Sequence, residues 1–355
     1  MRVRLVLAAA LSAGLTLAGT TLLGGSASGA LVPTATTSTL NDVRVGSFNI
    51  SNVTYDPKAT GDHRVWKDRR ATVASQILSQ KLDVVGVQEA NQSYTYSANM
   101  VSGGNQFLDL RDGLNAKGGN YALTNTNSYN CVKSTSTYKC VYADQGASGD
   151  NRIYYDTDTV RLVRSGSYQY AAQTAGKNLR FMTWGVFEMK ATGKQFLFTD
   201  THLDPYTISV RIDQFKELVA QVKALKGTLP VVAVGDYNTS KWSDYAGTVL
   251  PMMKNNGFGD VLNQVYRENP IRSPRAEATR RLWVNSFNGW VRDGHQLGYA
   301  DARTKAGNNI DWIFATNSLR VKAWEVVVNM DATTLQLKGV IPSDHNLVRA
   351  TLTLG

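Results

Sequence analysis

The chain repeats one pattern, an apolar run of strand length that ends in polar side chains. The run Val43–Ile50 alternates apolar and polar positions up to an amide, and Leu82–Glu89 is almost continuously apolar until it ends in an amide and a carboxylate. Continuous apolar runs of this length are typical of strands buried on both faces. Runs 196–204 and 231–238 also end in polar groups, and 309–314 starts close to an aspartate. The pattern therefore predicts buried strands with polar groups at the rim of a sheet.

Helical periodicity follows several of these runs. Apolar side chains recur every three or four residues in Trp66–Leu78 and in Val210–Leu225, which predicts two amphipathic helices. The runs Thr159–Arg164, Phe181–Met189 and Trp324–Val328 predict further strands joined as a meander. Strands and helices that alternate in this way favour two packed sheets with helices outside them.

The first 30 residues have the pattern of a secretory signal. Met1–Arg4 is basic, Leu5–Leu23 is apolar, and small residues lead to Ala30, after which we expect cleavage. A membrane anchor is the alternative because the stretch approaches spanning length, but it is rich in Ala, Gly and Thr, and no basic cluster follows it. We expect residues 31–41 to form a Thr-rich linker and residues 42–355 to form one domain.

The chain is basic, and this charge bears on its partners. Its formal charge of +10 falls to +8 on removal of residues 1–30, because Arg2 and Arg4 are lost and no acid is. Positive charge attracts phosphates at long range, which favours nucleic acid or an anionic membrane surface as a partner. One local cluster of basic residues comprises Arg272, Arg275, Arg280 and Arg281.

The two cysteines, Cys131 and Cys140, lie nine positions apart in a polar stretch. In an oxidising compartment this spacing predicts a disulfide that closes a surface loop, with a stabilisation of about 2 to 3 kcal/mol. A metal site is the alternative, but neither cysteine has a histidine or a third cysteine nearby.

Six polar clusters border the predicted strands, in the order Asn, Glu, His, Asp-x-Asn, Asp and Asp-His. Taken singly, each also fits a turn former or a helix cap, and His202 also fits a core histidine. Their order resembles the endonuclease/exonuclease/phosphatase superfamily, the group of pancreatic deoxyribonuclease, abasic-site endonucleases, bacterial sphingomyelinases and inositol polyphosphate phosphatases. The motifs that carry this resemblance are Phe48-Asn49-Ile50, Val87-Gln88-Glu89, Thr201-His202-Leu203-Asp204, Gly235-Asp236-Tyr237-Asn238, Ile310-Asp311-Trp312-Ile313-Phe314 and Ser343-Asp344-His345.

The resemblance implies both a fold and a metal site. The fold is a four-layer α/β/β/α sandwich of two packed mixed sheets flanked by helices, with the active site at one rim of the sheets. The implied ligands of a Mg²⁺ ion are Glu89, Asn49 and Asp344, and Mn²⁺ or Ca²⁺ are alternatives because all three ions prefer hard oxygen donors. Some members carry an aspartate two positions after the first Asn, where this chain has Ser51.

The remaining motif residues match catalytic positions of that superfamily. By this resemblance Asp236 orients or deprotonates the attacking water, and Asn238 donates a hydrogen bond to a phosphoryl oxygen. Asp311 holds His345, and such a pair fixes the tautomer of the imidazole and raises its pKa. His202 matches a second histidine, and which of the two histidines protonates the leaving group stays open.

Arg152 and Asp204 are candidate substrate-binding residues. Arg152 precedes a strand-like run at a place where the family approaches substrate, and a solvated charge at the strand end is the alternative. Asp204 either steadies its neighbour or the substrate, or forms a turn before Pro205. His63 and His295 match no motif and are expected to be surface or structural residues.

Hydrolysis of phosphate esters with a divalent metal is the predicted reaction. A secreted nuclease is the first hypothesis, because the chain is basic and the arginine cluster could track a phosphate backbone. The second is a sphingomyelinase-like phospholipid phosphodiesterase that inserts Trp283, Phe287 and Trp290 at a bilayer interface, although these rings could also stack on bases or fill a core. A phosphatase on soluble phosphomonoesters is the third, and an inactive binding protein is the fourth. We expect a monomer, and no protein partner is implied.

Overall fold

The computed structural model describes residues 39–126, 150–240, 246–262, 279–281, 284–293, 307 and 309–355. The strands are β1 (Asp42–Asn49), β2 (Val84–Gln88), β3 (Tyr121–Leu123), β4 (Arg152–Asp156), β5 (Val160–Gln169), β6 (Phe181–Met189), β7 (Gln195–His202), β8 (Val231–Asp236), β9 (Phe258–Asp260), β10 (Thr279–Arg280), β11 (Asp311–Thr316), β12 (Arg320–Val327) and β13 (Leu347–Thr353). The helices are α1 (Trp66–Ser79), α2 (Gln106–Ala116), α3 (Ile208–Lys226) and α4 (Ala246–Asn255), with short 3₁₀ helices at Val53–Lys58 and Tyr94–Asn99.

The strands form two mixed sheets. The order in the first is β10-β12-β13-β1-β2-β4-β3, and the order in the second is β5-β6-β7-β8-β11-β9. In the first sheet β1 runs parallel to β2, and in the second β7 runs parallel to β8. Parallel neighbours end at the same rim, so each sheet brings the polar ends of two predicted strands together.

Three apolar cores separate the layers. The central core contains Val45 and Val84 of the first sheet together with Phe198 and Val234 of the second, so it lies between the sheets. An outer core joins Val85 and Val87 to residues of α1 and α2, and another joins Val231 and Ala233 to residues of α3 and α4. The predicted four-layer α/β/β/α sandwich is therefore confirmed.

The two predicted helices are present with boundaries close to those expected from periodicity. Helix α1 begins at Trp66, whose backbone N–H donates to both carboxylate oxygens of Asp56 at 3.0 Å and so meets an acceptor outside the helix. Helix α3 ends at Lys226, before Gly227 with a φ of 52°. Glycine suits this position because residues with a side chain rarely adopt positive φ.

Several sequence-based expectations lie outside the described residues. These are the signal segment 1–30, the linker up to residue 38, the pair Cys131 and Cys140, and the side chains of Arg272, Arg275, Arg280, Trp283 and His295. Within the part of the chain that the structure describes, no helix combines the length and the apolar composition that a membrane crossing needs.

Candidate active site

The strand pairing of the second sheet brings three predicted site residues side by side. His202 at the end of β7 pairs in register with Asp236 at the end of the parallel strand β8. Asp311 begins the antiparallel strand β11 and also pairs in register with Asp236. The three side chains therefore share one rim, although 109 residues of sequence separate the first from the last.

Backbone strain marks the positions where the strands end. Ser51, Glu89 and Asn238 have φ values of 56°, 60° and 48°, in the left-handed region that residues other than glycine rarely adopt. Each such residue costs about 1 to 3 kcal/mol and persists only where its surroundings hold it. Here all three belong to, or directly neighbour, the predicted site.

Asn49 links the two sheets at this rim. Its Nδ2 donates to Oε1 of Glu89 and to Oδ2 of Asp236, at 3.1 Å in both cases. The backbone N–H of Asn52 donates to the other oxygen of Glu89 at 2.8 Å. The Glu89 carboxylate is therefore fixed in orientation at the wall of the cleft.

The donors around Glu89 fit a hard divalent cation. Enclosure by protein, followed by the negative charge of Asp344, raises the pKa of Glu89 to about 7. Two carboxylates that repel each other in this way favour a cation between them. Oδ1 of Asn49 accepts the N–H of Ser51 at 3.0 Å and keeps a second lone pair. Carboxylate and amide oxygens are the ligands that Mg²⁺, Mn²⁺ and Ca²⁺ prefer.

A second group of potential ligands lies next to this one. Ligand atoms of Asp236, Asp311 and His345 all lie within 4.8 Å of one another, close enough to hold an ion. In this group, however, Nδ1 of His345 is 2.9 Å from Oδ2 of Asp311 and is thereby engaged. Hydrogen bonding within the group is the arrangement of a proton-transfer unit, which leaves the oxygen donors around Glu89 as a second candidate for a metal site.

Asp236 lies at the centre of the cluster. Its Oδ2 is 3.4 Å from Nε2 of His202 and 3.6 Å from Nε2 of His345, and its Oδ1 accepts the N–H of Asn238 at 2.9 Å. Burial alone would raise the pKa of Asp236, but the two histidines and the hydrogen bonds from Asn238 and Asn49 lower it overall. The carboxylate is therefore ionised and ready to accept a proton.

The two histidines differ in their electrostatic surroundings. Burial would lower the pKa of His345, but the Asp311 and Asp236 carboxylates outweigh it and hold this pKa well above 6.5. Burial and the positive charge of Arg180 lower the pKa of His202 to about 3. His345 is therefore held as a cation and His202 as a neutral imidazole, in a site where both present Nε2 to the same carboxylate.

The support of the Asp311–His345 pair comes from Ser286 and Phe287, and no sequence motif predicted this role. The hydroxyl of Ser286 accepts backbone N–H groups from Ile310 at 2.9 Å and from Asp311 at 3.1 Å. The ring of Phe287 meets the ring of His345 edge to face at 5.0 Å. These contacts fix the start of β11 and support the imidazole from one side.

The two candidate substrate-binding residues do not line the cleft. Arg152 is 2% exposed, so the solvated strand-end alternative is wrong, and its guanidinium lies over the ring of Phe107 at 3.9 Å. Its NH2 is 3.4 Å from Oε1 of Gln92, which does line the cleft, so its influence there is indirect. Asp204 is fully buried and accepts the N–H groups of Tyr206 and Thr207, which is the turn role.

The proposed membrane-inserting aromatics are also placed differently. Trp290 is half-buried and its ring stacks on the His63 ring at 4.4 Å with an interplanar angle of 13°. Phe287 contacts His345 and lines the cleft, with 38% of its surface exposed. Trp290 therefore packs against the protein through its contact with His63.

The site opens into a cleft of about 690 Å³. Polar groups supply much of its lining, and three exposed aromatic side chains contribute to it: Tyr55 at 46%, Tyr206 at 59% and Phe287 at 38% exposure. The cleft is lined by Asn52, Thr54, Tyr55, Glu89, Asn91, Gln92, Ser93, Asp150, Asn151, Asn178, Leu179, Arg180, Phe181, His202, Pro205, Tyr206, Asp236, Asn238, Phe287, Ile310, Asp344 and His345.

Several of these residues could not be found from the motifs. Asn52 follows the first motif closely, and its side chain donates to Asp150 at 2.6 Å across 98 residues of sequence. Tyr206 lies two residues after the histidine motif, and the sequence does not indicate that its side chain is exposed. Arg180 and Tyr55 lie between motifs and carry no pattern that distinguishes them from surface residues.

Comparison with known proteins agrees with this architecture. A model of the Endonuclease/Exonuclease/phosphatase family matches residues 46–345. A mannosyl-6-phosphatase from Bacteroides thetaiotaomicron has a TM-score of 0.61 at 20% identity, with 88% of this chain and 100% of that chain covered. Human Nocturnin's catalytic domain with bound sulfate has a TM-score of 0.54 at 15% identity, with 89% and 95% covered. Zebrafish (D. rerio) TDP2 complexed with single-strand DNA product has a TM-score of 0.53 at 15% identity, with 88% and 99% covered.

These identities are low, so the solved structures show the shared fold alone. A search of the curated proteins found no match. The family model, in contrast, spans most of the chain and begins and ends at the predicted motifs. Members of that family are phosphoric ester hydrolases and depend on divalent metals. This chain belongs to the Endonuclease/Exonuclease/phosphatase family.

Proposed function

We propose that this chain is a secreted, divalent-metal-dependent phosphodiesterase that hydrolyses nucleic acid. Secretion rests on the signal pattern of residues 1–30. Glu89, Asn49 and Asp344 would hold the metal, with Mg²⁺ as the first choice and Mn²⁺ or Ca²⁺ as alternatives. When bound, such an ion neutralises charge on the phosphoryl oxygens.

Asp236 is the residue we assign to the attacking water. It is ionised, nearly fully buried, and fixed by the backbone of Asn238 and the side chain of Asn49. A carboxylate held in this way can orient a water molecule and accept its proton. The amide of Asn238 donates to the carbonyl of Leu203 at 2.9 Å, which fixes its orientation at the cleft, and we assign this side chain to binding a phosphoryl oxygen.

His345 and His202 would bind the phosphate from the other side of that carboxylate. Both present Nε2 within 3.6 Å of Asp236, so both can reach a phosphoryl or leaving oxygen next to it. Asp311 keeps the His345 ring in one orientation through its bond to Nδ1. Preorganised donors of this kind stabilise charge that develops in the transition state.

One observation carries the choice of nucleic acid as the substrate. Among the described residues, the exposed aromatic side chains are Tyr55, Tyr206 and Phe287, and all three line the cleft that holds the hydrolytic residues. Exposed rings beside a phosphate site provide stacking platforms for bases, worth about 1 to 3 kcal/mol per base. The formal charge of +8 that remains after removal of residues 1–30 supports the same substrate, because it attracts a phosphate backbone.

The same rings favour a single strand over a duplex. Bases in a duplex are already stacked on one another, and an aromatic side chain can take their place only if the base leaves the stack. Unpaired bases can reach Tyr55, Tyr206 or Phe287 without that cost. We therefore expect single-stranded DNA or RNA to be cut faster than duplex DNA.

A phosphatase acting on phosphorylated sugars is the second candidate. The lining of the cleft includes the amides of Asn91, Gln92, Asn151 and Asn178, and amides suit sugar hydroxyls. The mannosyl-6-phosphatase that shares this fold is compatible with such a substrate. The phospholipid hypothesis has no comparable support, because Trp290 packs on His63.

A substrate panel with matched variants tests this proposal. The purified protein is incubated with Mg²⁺, Mn²⁺ or Ca²⁺ and with single-stranded DNA, duplex DNA, RNA, mannose 6-phosphate or sphingomyelin. Tyr55→Ala and Tyr206→Ala should each lower kcat/KM on single-stranded DNA by about tenfold, the loss of one stacking contact. Ile208→Ala is the control, because Ile208 is 51% exposed near Tyr206 but does not line the cleft. Turnover of mannose 6-phosphate without cleavage of any nucleic acid would replace the nuclease with the phosphatase.

A further inference from the structure

Arg69 of helix α1 is a fully buried arginine next to the proposed metal site. Its guanidinium donates to the backbone carbonyls of Ile50, of Ser51 at 2.7 Å and of Pro342 at 3.0 Å. Its Nε donates to the carbonyl of Arg64 at 3.1 Å. Every hydrogen bond of this side chain thus ends on a backbone oxygen.

Those carbonyls belong to the two loops that carry the proposed ligands. Ile50 and Ser51 directly follow Asn49, and Pro342 lies two residues before Asp344. A second contact joins the same loops, since the hydroxyl of Ser343 donates to the carbonyl of Asn49 at 2.7 Å. One guanidinium therefore bridges two segments that are almost 300 residues apart in sequence.

The plane of the guanidinium is also fixed. It lies 5.1 Å from the ring centre of Trp66 and 5.4 Å from that of Trp290. A planar fork that donates in several directions and stacks on aromatic rings is a geometry that lysine cannot reproduce. The side chain is thus held by stacking and by four carbonyls together.

The charge of Arg69 is not matched by a contacting acid. A buried cation is normally paired with a carboxylate, yet the hydrogen bonds of Arg69 reach only carbonyl oxygens. The acids that act on it from a distance are Asp56, Asp344 and Glu89. Asp344 and Glu89 are proposed metal ligands, so Arg69 places a fixed positive charge near both of them.

We propose that Arg69 is a positioning residue that holds the Asn49 and Asp344 loops at the spacing which the metal ion requires. It does so before the ion arrives, because its bonds are to the protein backbone. The inference rests on the proposed function, since it requires that Asn49 and Asp344 bind metal. Replacing a residue that orients metal ligands typically changes the metal affinity by about 10- to 100-fold.

Two substitutions separate the roles of charge and geometry. Arg69→Lys keeps the positive charge but cannot bridge both loops, and Arg69→Met removes both the charge and the donors. We expect each variant to raise the dissociation constant for Mn²⁺ by about tenfold or more. The loss should be larger for Arg69→Lys, because Arg69→Met also removes a positive charge that repels the metal ion. The kcat at saturating metal should fall much less than the affinity does.

Isothermal titration of the full-length protein with Mn²⁺ alone is the decisive test, because it needs no substrate. Trp66 and Trp290 contact Arg69, so their fluorescence gives a second signal of loop movement. Arg349→Met is the matched control, because Arg349 forms a largely buried pair with Glu325 and does not line the cleft. This control should unfold at a lower temperature with an unchanged Mn²⁺ dissociation constant.

The outcomes distinguish this inference from the proposed function. If the wild-type protein binds Mn²⁺ and Arg69→Lys binds it equally well, Arg69 has no positioning role while the metal site stands. If the wild-type protein does not bind Mn²⁺, both proposals are overturned. If Arg69→Met does not fold, the Arg69→Lys titration alone decides, and a dissociation constant raised about tenfold supports the inference.

Discussion

Replacing Asp311 with asparagine tests how the geometry of the site produces its chemistry. The substitution changes one oxygen to a nitrogen and removes a negative charge that lies 2.9 Å from Nδ1 of His345. Both side chains are buried, with Asp311 1% and His345 5% exposed. The shape of the site is therefore kept, while the charge that orients and holds the imidazolium is lost.

The size of the effect follows from this burial. Removing one partner of a buried ion pair costs about 3 to 5 kcal/mol, and the amide in Asp311→Asn can keep a hydrogen bond, so we expect a loss of about 3 kcal/mol. A domain typically has about 5 to 15 kcal/mol of stability, so the variant should still fold. Its kcat should fall by about 100-fold or more, since the positioned histidine contributes an effect of that size.

The assay compares Asp311→Asn with Glu325→Gln. Glu325 is 3% exposed and accepts two hydrogen bonds from Arg349, at 3.0 and 2.6 Å, so it loses a similar buried charge away from the cleft. Thermal unfolding gives the stability of each variant, and steady-state kinetics at saturating metal give kcat. We expect both variants to lose stability and Asp311→Asn alone to lose turnover.

A kcat of Asp311→Asn within about threefold of the wild type would contradict this reasoning, because it would mean that His345 acts without its partner. Equal losses of kcat in both variants would contradict it too. In that case the turnover would follow the stability of the fold and not the Asp311–His345 pair.

Three further predictions follow from the same structure. Asp236→Ala and His345→Ala should each lower kcat by about 100-fold or more at saturating metal, and near wild-type turnover in either would remove that residue from the mechanism. Burial raises the pKa of Asp200 well above 3.8, so the folded state retains a proton that the unfolded chain loses. The contribution of Asp200 to stability should therefore decrease as pH rises above about 4. Asp200→Asn lacks this contribution, so the difference in thermal unfolding between the two proteins should change with pH in favour of the variant, and parallel curves would contradict this. The KM for single-stranded DNA should rise steeply between about 50 and about 200 mM salt, and a KM independent of salt would count against binding through several phosphates.

The architecture was predictable because the apolar runs have the length and spacing of buried strands and helices. The predicted runs 231–238 and 309–314 contain β8 and β11, which pair in register at Asp236 and Asp311. Polar side chains at the ends of buried strands lie at the rim of the sheet, because the strand ends there. The sequence therefore indicated that the clusters converge, although not the distances between them.

Residues that act across the fold were not predictable. Arg69 reads as one charged position on an amphipathic helix, and only the packing of α1 beneath two loops buries it. Arg152 was expected at the surface of the site, but pairing of β4 with β2 turns it inward. Asp204 satisfies the N–H groups of the turn before α3, a local role that competes with substrate binding.

The central claim is that the cleft hydrolyses nucleic acid with a divalent metal held by oxygen ligands. Its most direct test is cleavage of an end-labelled single-stranded oligonucleotide by the purified protein in Mg²⁺, followed by excess EDTA and then by fresh Mg²⁺. We predict that cleavage stops on addition of EDTA, returns when the metal is restored, and is absent in Asp236→Ala. Cleavage that continues in EDTA, or no cleavage in Mg²⁺, Mn²⁺ or Ca²⁺, would contradict the account.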